Sequence, residues 1–408
     1  MKTIFSLAGA FALLATTSAQ DWPEFRGPSG QGHGTGKNLP AEWSQTKNVK
    51  WRTPVEGEGW SSPIVIGGKV IITSALSNGG SLNLHALAFD ERTGAEIWDR
   101  ELFRARNSKK HKKNSHASST PIAQGDRVYV HFGPNGTACL DLSGRVIWKQ
   151  NELEYPPVHG NGSSPIIVDD KLIFSCDGSK DPFVIALSTK TGDVIWKRPR
   201  KSGASRKFSF STPLLIKVNG QKQVISPGSG VVYALNPDNG KVIWECGYDQ
   251  GYSVVPRPLY AHGLVYVGTG FNKANLLAID PTGKGDVTKT HIRWQTSKDV
   301  SKSPSFLAVG NEIYIVSDRG EASCLDAKTG DQLWYHRFGG GFSASPTYAD
   351  GKIYFHNERG KTHVIKPGRS FKLLAESELG EKTFASLAIS GNALFQRSDS
   401  HLYKIQQR

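Results

Sequence analysis

Short apolar runs rich in Val, Ile, Leu and Tyr, broken by Gly, Asp and Asn, recur along the chain from about residue 48 to its end. This is the pattern of short strands closed by tight turns. Two markers hold a constant phase within it. The first is a segment ending in Trp: AFDERTGAEIW at Trp98, CLDLSGRVIW at Trp148, ALSTKTGDVIW at Trp196 and ALNPDNGKVIW at Trp244. It continues as a stretched AIDPTGKGDVTKTHIRW at Trp294 and as CLDAKTGDQLW at Trp334. The second is a Pro heading an alternating run, at Pro63, Pro121, Pro165, Pro213, Pro258, Pro304 and Pro346, with Ser386 in the same slot of a last unit. Each unit predicts four strands: the Pro-headed run, an Ile/Val/Tyr/Phe run, a strand ending in Ala/Cys-Leu-Asp, and the strand carrying Trp. The intervening Asp-x-x-Thr-Gly has a mechanical basis. Asp bonds its own backbone two residues on, and Gly accepts the left-handed conformation that closes a hairpin.

Four-stranded units repeating at this length predict the blades of a β-propeller. The final unit, FASLAISGNALFQRSDSHLYKI, supplies only three strands, while Trp51 in NVKWRTPV lies in phase with the fourth-strand tryptophans. Residues 48–56 are therefore expected to complete the last blade, giving an all-β, eight-bladed propeller of four-stranded antiparallel blades closed by N-terminal strand pairing. The seventh unit breaks the pattern, because VIKPGRSFKLLAES has neither Trp nor a Thr-Gly turn. The expected organisation is a signal peptide over 1–19, a lead-in over 20–47 and the propeller over 48–408.

These repeats resemble the pyrroloquinoline-quinone (PQQ) repeat, A-x-D-x-x-T-G-x-x-x-W, over residues 48–408, and DWPEFRGPSGQG (21–32) resembles the start of exported bacterial propellers of that class. The resemblance implies that Trp51, Trp98, Trp148, Trp196, Trp244, Trp294 and Trp334 dock each blade onto its neighbour. The class includes quinoprotein alcohol dehydrogenases and the scaffold lipoprotein of the outer-membrane β-barrel assembly machinery, so membership leaves the chemistry open.

Composition adds a compartment. Residues 1–20 carry Lys2, an apolar run from Ile4 to Ala15 and the small residues Thr17-Ser18-Ala19, the layout of a secretory signal peptide cleaved near Ala19. The run is too short to span a bilayer, which takes about 20 residues, and Gln20 stands where a lipid anchor requires Cys. The expected protein is exported (periplasmic or secreted), monomeric and not membrane-spanning. Lys and Arg exceed Asp and Glu by 50 to 36, a formal charge of +14 that favours anionic partners. Export argues against nucleic acid and leaves a protein or an anionic glycan.

Catalytic signatures are missing. The chain has no G-x-S-x-G, H-E-x-x-H, P-loop or C-x-x-C-H. The quinoprotein enzymes stack their cofactor under two adjacent cysteines and hold Ca²⁺ with carboxylates from long insertions. Here Cys139, Cys176, Cys246 and Cys324 are isolated, and no acidic run stands in for the metal site. The expectation is a non-catalytic binding or scaffold protein with no cofactor and no metal. The alternatives are a PQQ- and Ca²⁺-dependent dehydrogenase and an enzyme acting on acidic polysaccharide. One set of positions, just before the first strand of each blade, varies while the rest repeats: Trp60, His116, His159, Phe208, Arg257, Lys302, Phe342 and Phe384. Aromatic and cationic residues there would form a ligand-facing rim. The basic segment FRARNSKKHKKNSH (103–116) reads as a solvated loop, or as an electrostatic contact for an acidic partner.

Overall fold

The computed structural model describes residues 21–248 and 250–407; the expected signal peptide lies outside the described residues. Eight sheets are present, seven four-stranded and one five-stranded. Blades one to seven each take four strands in chain order, starting with Ile64–Ile66, Lys69–Asn78, Ser81–Asp90 and Glu96–Arg106 in blade one; only in blade five does another strand, Gly285–Asp286, intervene before the fourth. In blade eight, Ala388–Ser390, Ala393–Arg397 and His401–Gln406 are completed by Val49–Pro54, which runs antiparallel to the last strand with Thr53 opposite Leu402. This pairing closes the ring and covers an edge that would otherwise expose unpaired backbone groups.

The hydrophobic cores lie between blades rather than within them. Ile71, Ala88 and Trp98 of blade one pack with Val128, Val130 and Leu140 of blade two. The Asp-x-x-Thr-Gly turn is what each tryptophan meets. Asp90 Oδ1 accepts from the backbone N–H of Arg92 and Thr93, which sets the turn. Gly94 then holds φ of +76° and lies against the Trp51 ring, where a Cβ would fall 2.6 Å from a ring carbon. Glycine is thus needed twice at this position, for its backbone and for its bare face. The indole N–H donates across the seam to the carbonyl just after the Asp position: Trp51 to Glu91, Trp98 to Leu142, Trp148 to Thr189 and Trp196 to Pro237. Trp294 does the same with Ala327, and Trp334 donates to Gly368 in the blade-seven loop that replaces this turn. Burying a ring of roughly 150–250 Å² at about 25 cal/mol per Å² contributes on the order of 4–6 kcal/mol before entropy is counted.

Two seams depart from this rule. Trp244 donates to Gln223 Oε1 at 2.9 Å, and Gln223 Nε2 donates onward to the Pro281 carbonyl at 3.3 Å, so a side-chain relay replaces the direct bond. The stretched segment of blade five is responsible. Its residues Gly285–Asp286 form a short strand parallel to Val242–Gly247 of blade four and cover the indole. In blade seven Ala375 sits opposite Val364, where other blades place Trp opposite Ala. The lead-in fills that gap. Trp43 is buried against Tyr354 with ring centroids 6.2 Å apart, as Trp334 lies 6.0 Å from Tyr314 within blade six. Tyr354 Oη donates to the Pro40 carbonyl of the same lead-in. An indole distant in sequence therefore occupies the slot that the seventh unit leaves empty.

The strand register also corrects two assignments. Ser386 does not stand in the proline slot: it aligns with Ser62 and Ser345, and Leu387 follows it where Pro63 and Pro346 stand. Likewise Ser305 of blade six takes the Ser62 position, which places Phe306, not Pro304, in that slot.

Candidate functional site

The residues preceding the first strands converge on the axis, and their side chains explain the S/T-S/T-P sequence. Ser62 N–H donates to Thr120 Oγ1, Thr120 N–H to Ser164 Oγ and Ser164 N–H to Thr212 Oγ1, all at 2.9–3.0 Å. Beyond blade five the chain of bonds resumes from Arg257 N–H to Ser305, then Ser345, Ser386 and back to Ser62 Oγ, again at 2.9–3.0 Å. A second layer staples neighbouring blades through Ser119 and Ser163, whose hydroxyls donate to the carbonyls of Ser163 and Ser211. The ring is interrupted only where blade five carries Arg257 in place of a hydroxyl.

Below this ring the lead-in seals the axis. It pairs with blade one through Trp22 and Val65 and with blade two through the Pro23 carbonyl. It reaches blade five through Gln31 and Tyr260, blade six through His33 and Ala308, and blade seven through Gly32 and Tyr348. Two guanidinium groups are buried here. Arg257 Nη2 binds Glu24 Oε2 at 2.9 Å, Nε donates to the Pro213 carbonyl, and Nη1 donates to the Phe25 carbonyl. Arg26 has carbonyl acceptors alone, Phe306 at 2.7 Å, Gln31 at 2.9 Å and Pro346 at 3.3 Å. Burial, then repulsion from Arg257, lowers the Arg26 pKa to about 9. Burial also raises the Glu24 carboxyl, opposed by Arg257.

Above the ring the axis opens as a funnel of about 770 Å³ with Phe25 at its floor and all eight blades in its wall. This volume falls within the range of about 300–1,000 Å³ typical of small-molecule sites. On the wall of blades eight and one, Trp60 and Phe384 lie 4.7 Å apart, with Lys382 Nζ 4.8 Å from the Phe384 ring. On the opposite wall His159, Phe210, Tyr252 and Phe271 form an aromatic surface backed by Phe208. Arg206 caps it, with Nη1 3.0 Å from Tyr252 Oη, and Lys302 Nζ lies 5.1 Å from the Phe271 ring centroid. Desolvation, then the neighbouring His111 and Arg206, holds the His159 pKa below its ordinary value.

The charges at the mouth are unbalanced. Arg206, Lys302 and Arg319 make no ion pair among the described residues. Among the described residues Asp318 is the one carboxylate in the lining, and it is engaged by the neighbouring loop of blade six, accepting from the N–H groups of Lys302 and Ser303 and from Ser303 Oγ. The basic segment is not merely solvated. Phe103–Arg106 extends the outer strand of blade one, Lys113 reaches Glu358 of blade seven at 2.7 Å, and Asn114 donates to the His159 carbonyl. This loop therefore overhangs the funnel.

Of the expected rim positions, Trp60, His159, Lys302 and Phe384 line the funnel. Four do not. Phe208 is buried behind the aromatic wall, Phe342 is fully buried against Phe338 and His363, and Arg257 lies in the floor bound to Glu24. His116 is buried with its Nε2 unpartnered, and burial followed by Lys110 lowers its pKa. The error is one of register. The residue that truly recurs in the wall lies two before the ring hydroxyl, which selects Ser118, Gly162, Phe210, Val255, Ser303 and Ser343 in the remaining blades. The expected positions stand anywhere from one to six residues before the proline slot, whereas a constant two residues before the Ser/Thr finds the wall. Tyr252, Phe271, Arg206 and Arg319 come from loops between strands and carry no periodic signal.

The residues do not fit Ca²⁺-assisted quinone chemistry. Among the described residues no group of three or more His, Cys, Asp or Glu could hold a metal ion. The one lining carboxylate among the described residues already accepts three hydrogen bonds, and all four cysteines are free and buried far apart in sequence. Burial raises the thiols of Cys139 to about 11 and of Cys324 and Cys246 to about 12, so they are inert small residues. A second hollow of about 750 Å³ lies between blades four and five, lined largely by Gly, Thr and Asn with Lys273 as its one cation. It gathers fewer charged and aromatic groups than the funnel.

Known proteins share this architecture. The outer membrane protein assembly factor BamB of Burkholderia pseudomallei is 24% identical over 290 residues, covering 68% of this chain and 55% of that protein. The chain spans about half the length of the curated relatives it matches. The crystal structure of BamB from Moraxella catarrhalis superposes with a TM-score of 0.61 at 15% identity, covering 88% of this chain and 97% of that one. A europium-containing methanol dehydrogenase superposes with a TM-score of 0.65 at 11% identity, covering 92% and 89%; at such identities these two show the fold alone. The family described as "Outer membrane protein assembly factor BamB" matches residues 33–151, 84–303 and 278–367, and the chain belongs to this family of PQQ-like β-propellers.

Proposed function

We propose that this protein is an exported, non-catalytic binding propeller whose working surface is the mouth of the axial funnel. One observation carries the reading: eight blades converge on a cavity sealed at one end by the lead-in, where Arg206, Lys302 and Arg319 make no ion pair among the described residues while Asp318 is engaged by blade six. A site of this kind attracts an anionic ligand and offers it aromatic surface. Kinship with assembly factors named BamB supports a binding or scaffold role, with a protein as the partner class such a role implies. Among the described residues no helix is long and apolar enough to cross a membrane. Export rests on the signal-peptide pattern of residues 1–19, and a mature N-terminus at Gln20 is its test.

Native mass spectrometry of the protein isolated from a bacterial envelope tests the binding reading. A ligand or partner retained by the wild type and lost by a Lys302→Gln/Arg319→Gln variant supports it. Equal retention by both refutes the funnel as the working surface.

A second reading has a specific support. His159, Tyr252 and Arg206 share one wall of the funnel, the residue types a lyase uses to neutralise a uronate and move its proton. Release of unsaturated product from a uronate polymer, abolished by Tyr252→Phe, would favour this reading over simple binding.

A further inference from the structure

The hydroxyls of the axial ring carry more information than their structural role requires. Seven Ser and Thr side chains line the base of the funnel, each at most 5% exposed as a residue. Each accepts one backbone N–H from the adjacent blade, and none donates to an acceptor among the described residues. A hydroxyl has one proton to give. With the oxygen held by the neighbouring N–H, that proton is left to point toward the axis. The base is thus a ring of converging O–H donors with no protein acceptor, a composition suited to a ligand end rich in acceptor atoms.

The layers above it differ in kind. Trp60 and Phe384 on one side and Tyr252 and Phe271 on the other give flat apolar surfaces facing a common space. Lys302 and Arg319 stand at the mouth without carboxylate partners among the described residues. The order from floor to rim is neutral donors, aromatic faces, then cations. A peptide would bring its own N–H donors into a wall whose one carboxylate among the described residues, Asp318, already accepts three hydrogen bonds from its own blade. A sugar offers acceptor oxygens, with C–H faces for the aromatic rings, and an acid group supplies acceptors without donors.

Resting on the funnel as the binding surface, we propose that its ligand is an acidic oligosaccharide, carboxylated or sulfated, which enters end-on. The oxyanion of its terminal residue meets the hydroxyl ring, its rings stack in the aromatic collar, and its outer charges meet Lys302 and Arg319.

Isothermal titration of the mature chain with trigalacturonate, a sulfated disaccharide, a neutral trisaccharide and citrate tests the proposal. One acidic oligosaccharide is expected to bind per chain, with affinity falling as salt rises. The neutral sugar and citrate should each bind at least about tenfold more weakly, the size of one charge-assisted contact. Preference for trigalacturonate or for the sulfated sugar identifies which acid group the ring accepts. Lys302→Gln, on the surface, should cost about tenfold in affinity with an unchanged melting curve. Ser164→Ala/Ser345→Ala should cost at least as much, with melting curves separating lost binding from lost folding. Equal binding of the neutral sugar, or citrate as tight as the oligosaccharide, overturns the proposal, and so does failure of both acidic sugars to bind. If both fail while envelope retention still depends on Lys302 and Arg319, the ligand class falls and the funnel stands as a binding surface. If retention is also indifferent to those residues, both readings fall.

Discussion

At the base of the axis Arg26 and Arg257 are buried, and the hydrogen bonds their guanidinium groups make all go to a carbonyl or to Glu24. At the mouth Arg206, Lys302 and Arg319 are solvent-facing and carry no ion pair among the described residues. The same residue types do opposite work over a short distance. A buried charge is costly unless its partners are complete, so the base must be fixed in geometry and belongs to folding. An exposed charge in water costs little to leave unpaired, so the mouth can hold its cations in reserve for a ligand. The hydroxyl ring lies between them and belongs to both, with its acceptor side engaged by the fold and its donor side free.

Breaking the base should have the largest effect. Arg257→Met leaves Glu24 buried without its cation and should cost about 3–5 kcal/mol in chemical denaturation. Glu24→Gln in the same chain should recover part of that loss; a single substitution without effect would mean that the lead-in does not hold the axis closed.

A pH titration comes next. His131 and His356 occupy equivalent buried positions in blades two and seven, bonded to Thr137 and Thr362, and burial lowers both to about 3. The unfolded chain takes up these protons near 6.5, well before the folded one does. Stability is therefore complete above about pH 6.5 and falls as pH drops toward 3, by about 1.4 kcal/mol per pH unit for each histidine. A urea series should show this slope, and His131→Gln/His356→Gln should flatten it.

The ring is expected to respond more gently. Ser386→Ala removes the acceptor of the Ser345 N–H and should cost about 1–3 kcal/mol. At the mouth, Lys302→Gln should change stability by less than about 0.5 kcal/mol while changing binding. If its stability loss instead matched that of Arg257→Met, the division between a structural base and a functional mouth would be wrong.

Much of the ring could be read in the chain before any coordinates. The tryptophan phase located six fourth strands, and Trp51 in the same phase identified the strand that closes blade eight. These features were legible because each repeats: a residue buried in the same way in successive blades leaves the same letter at the same interval. Features that occur once leave no such trace. Trp43 was invisible as a substitute for the missing seventh tryptophan, because only folding brings residue 43 to Tyr354. Gln223 could not be identified as a relay before the insertion of blade five was seen lying over Trp244.

The funnel divides along the same line. Trp60 and Phe384 were identifiable from the blade repeat, whereas Phe208, Phe342, His116 and Arg257 share its neighbourhood in sequence but not its wall. In an extended segment one residue of offset turns a side chain to the other face, so positions taken at unequal distances from the ring hydroxyl fall on and off the wall by turns. The sequence by itself determined the eight-bladed ring, its closure and an excess of positive charge, because these follow from periodic burial and from counting. Only the tertiary structure decided where charge is buried and where it is free, since that depends on which distant segments meet at the axis.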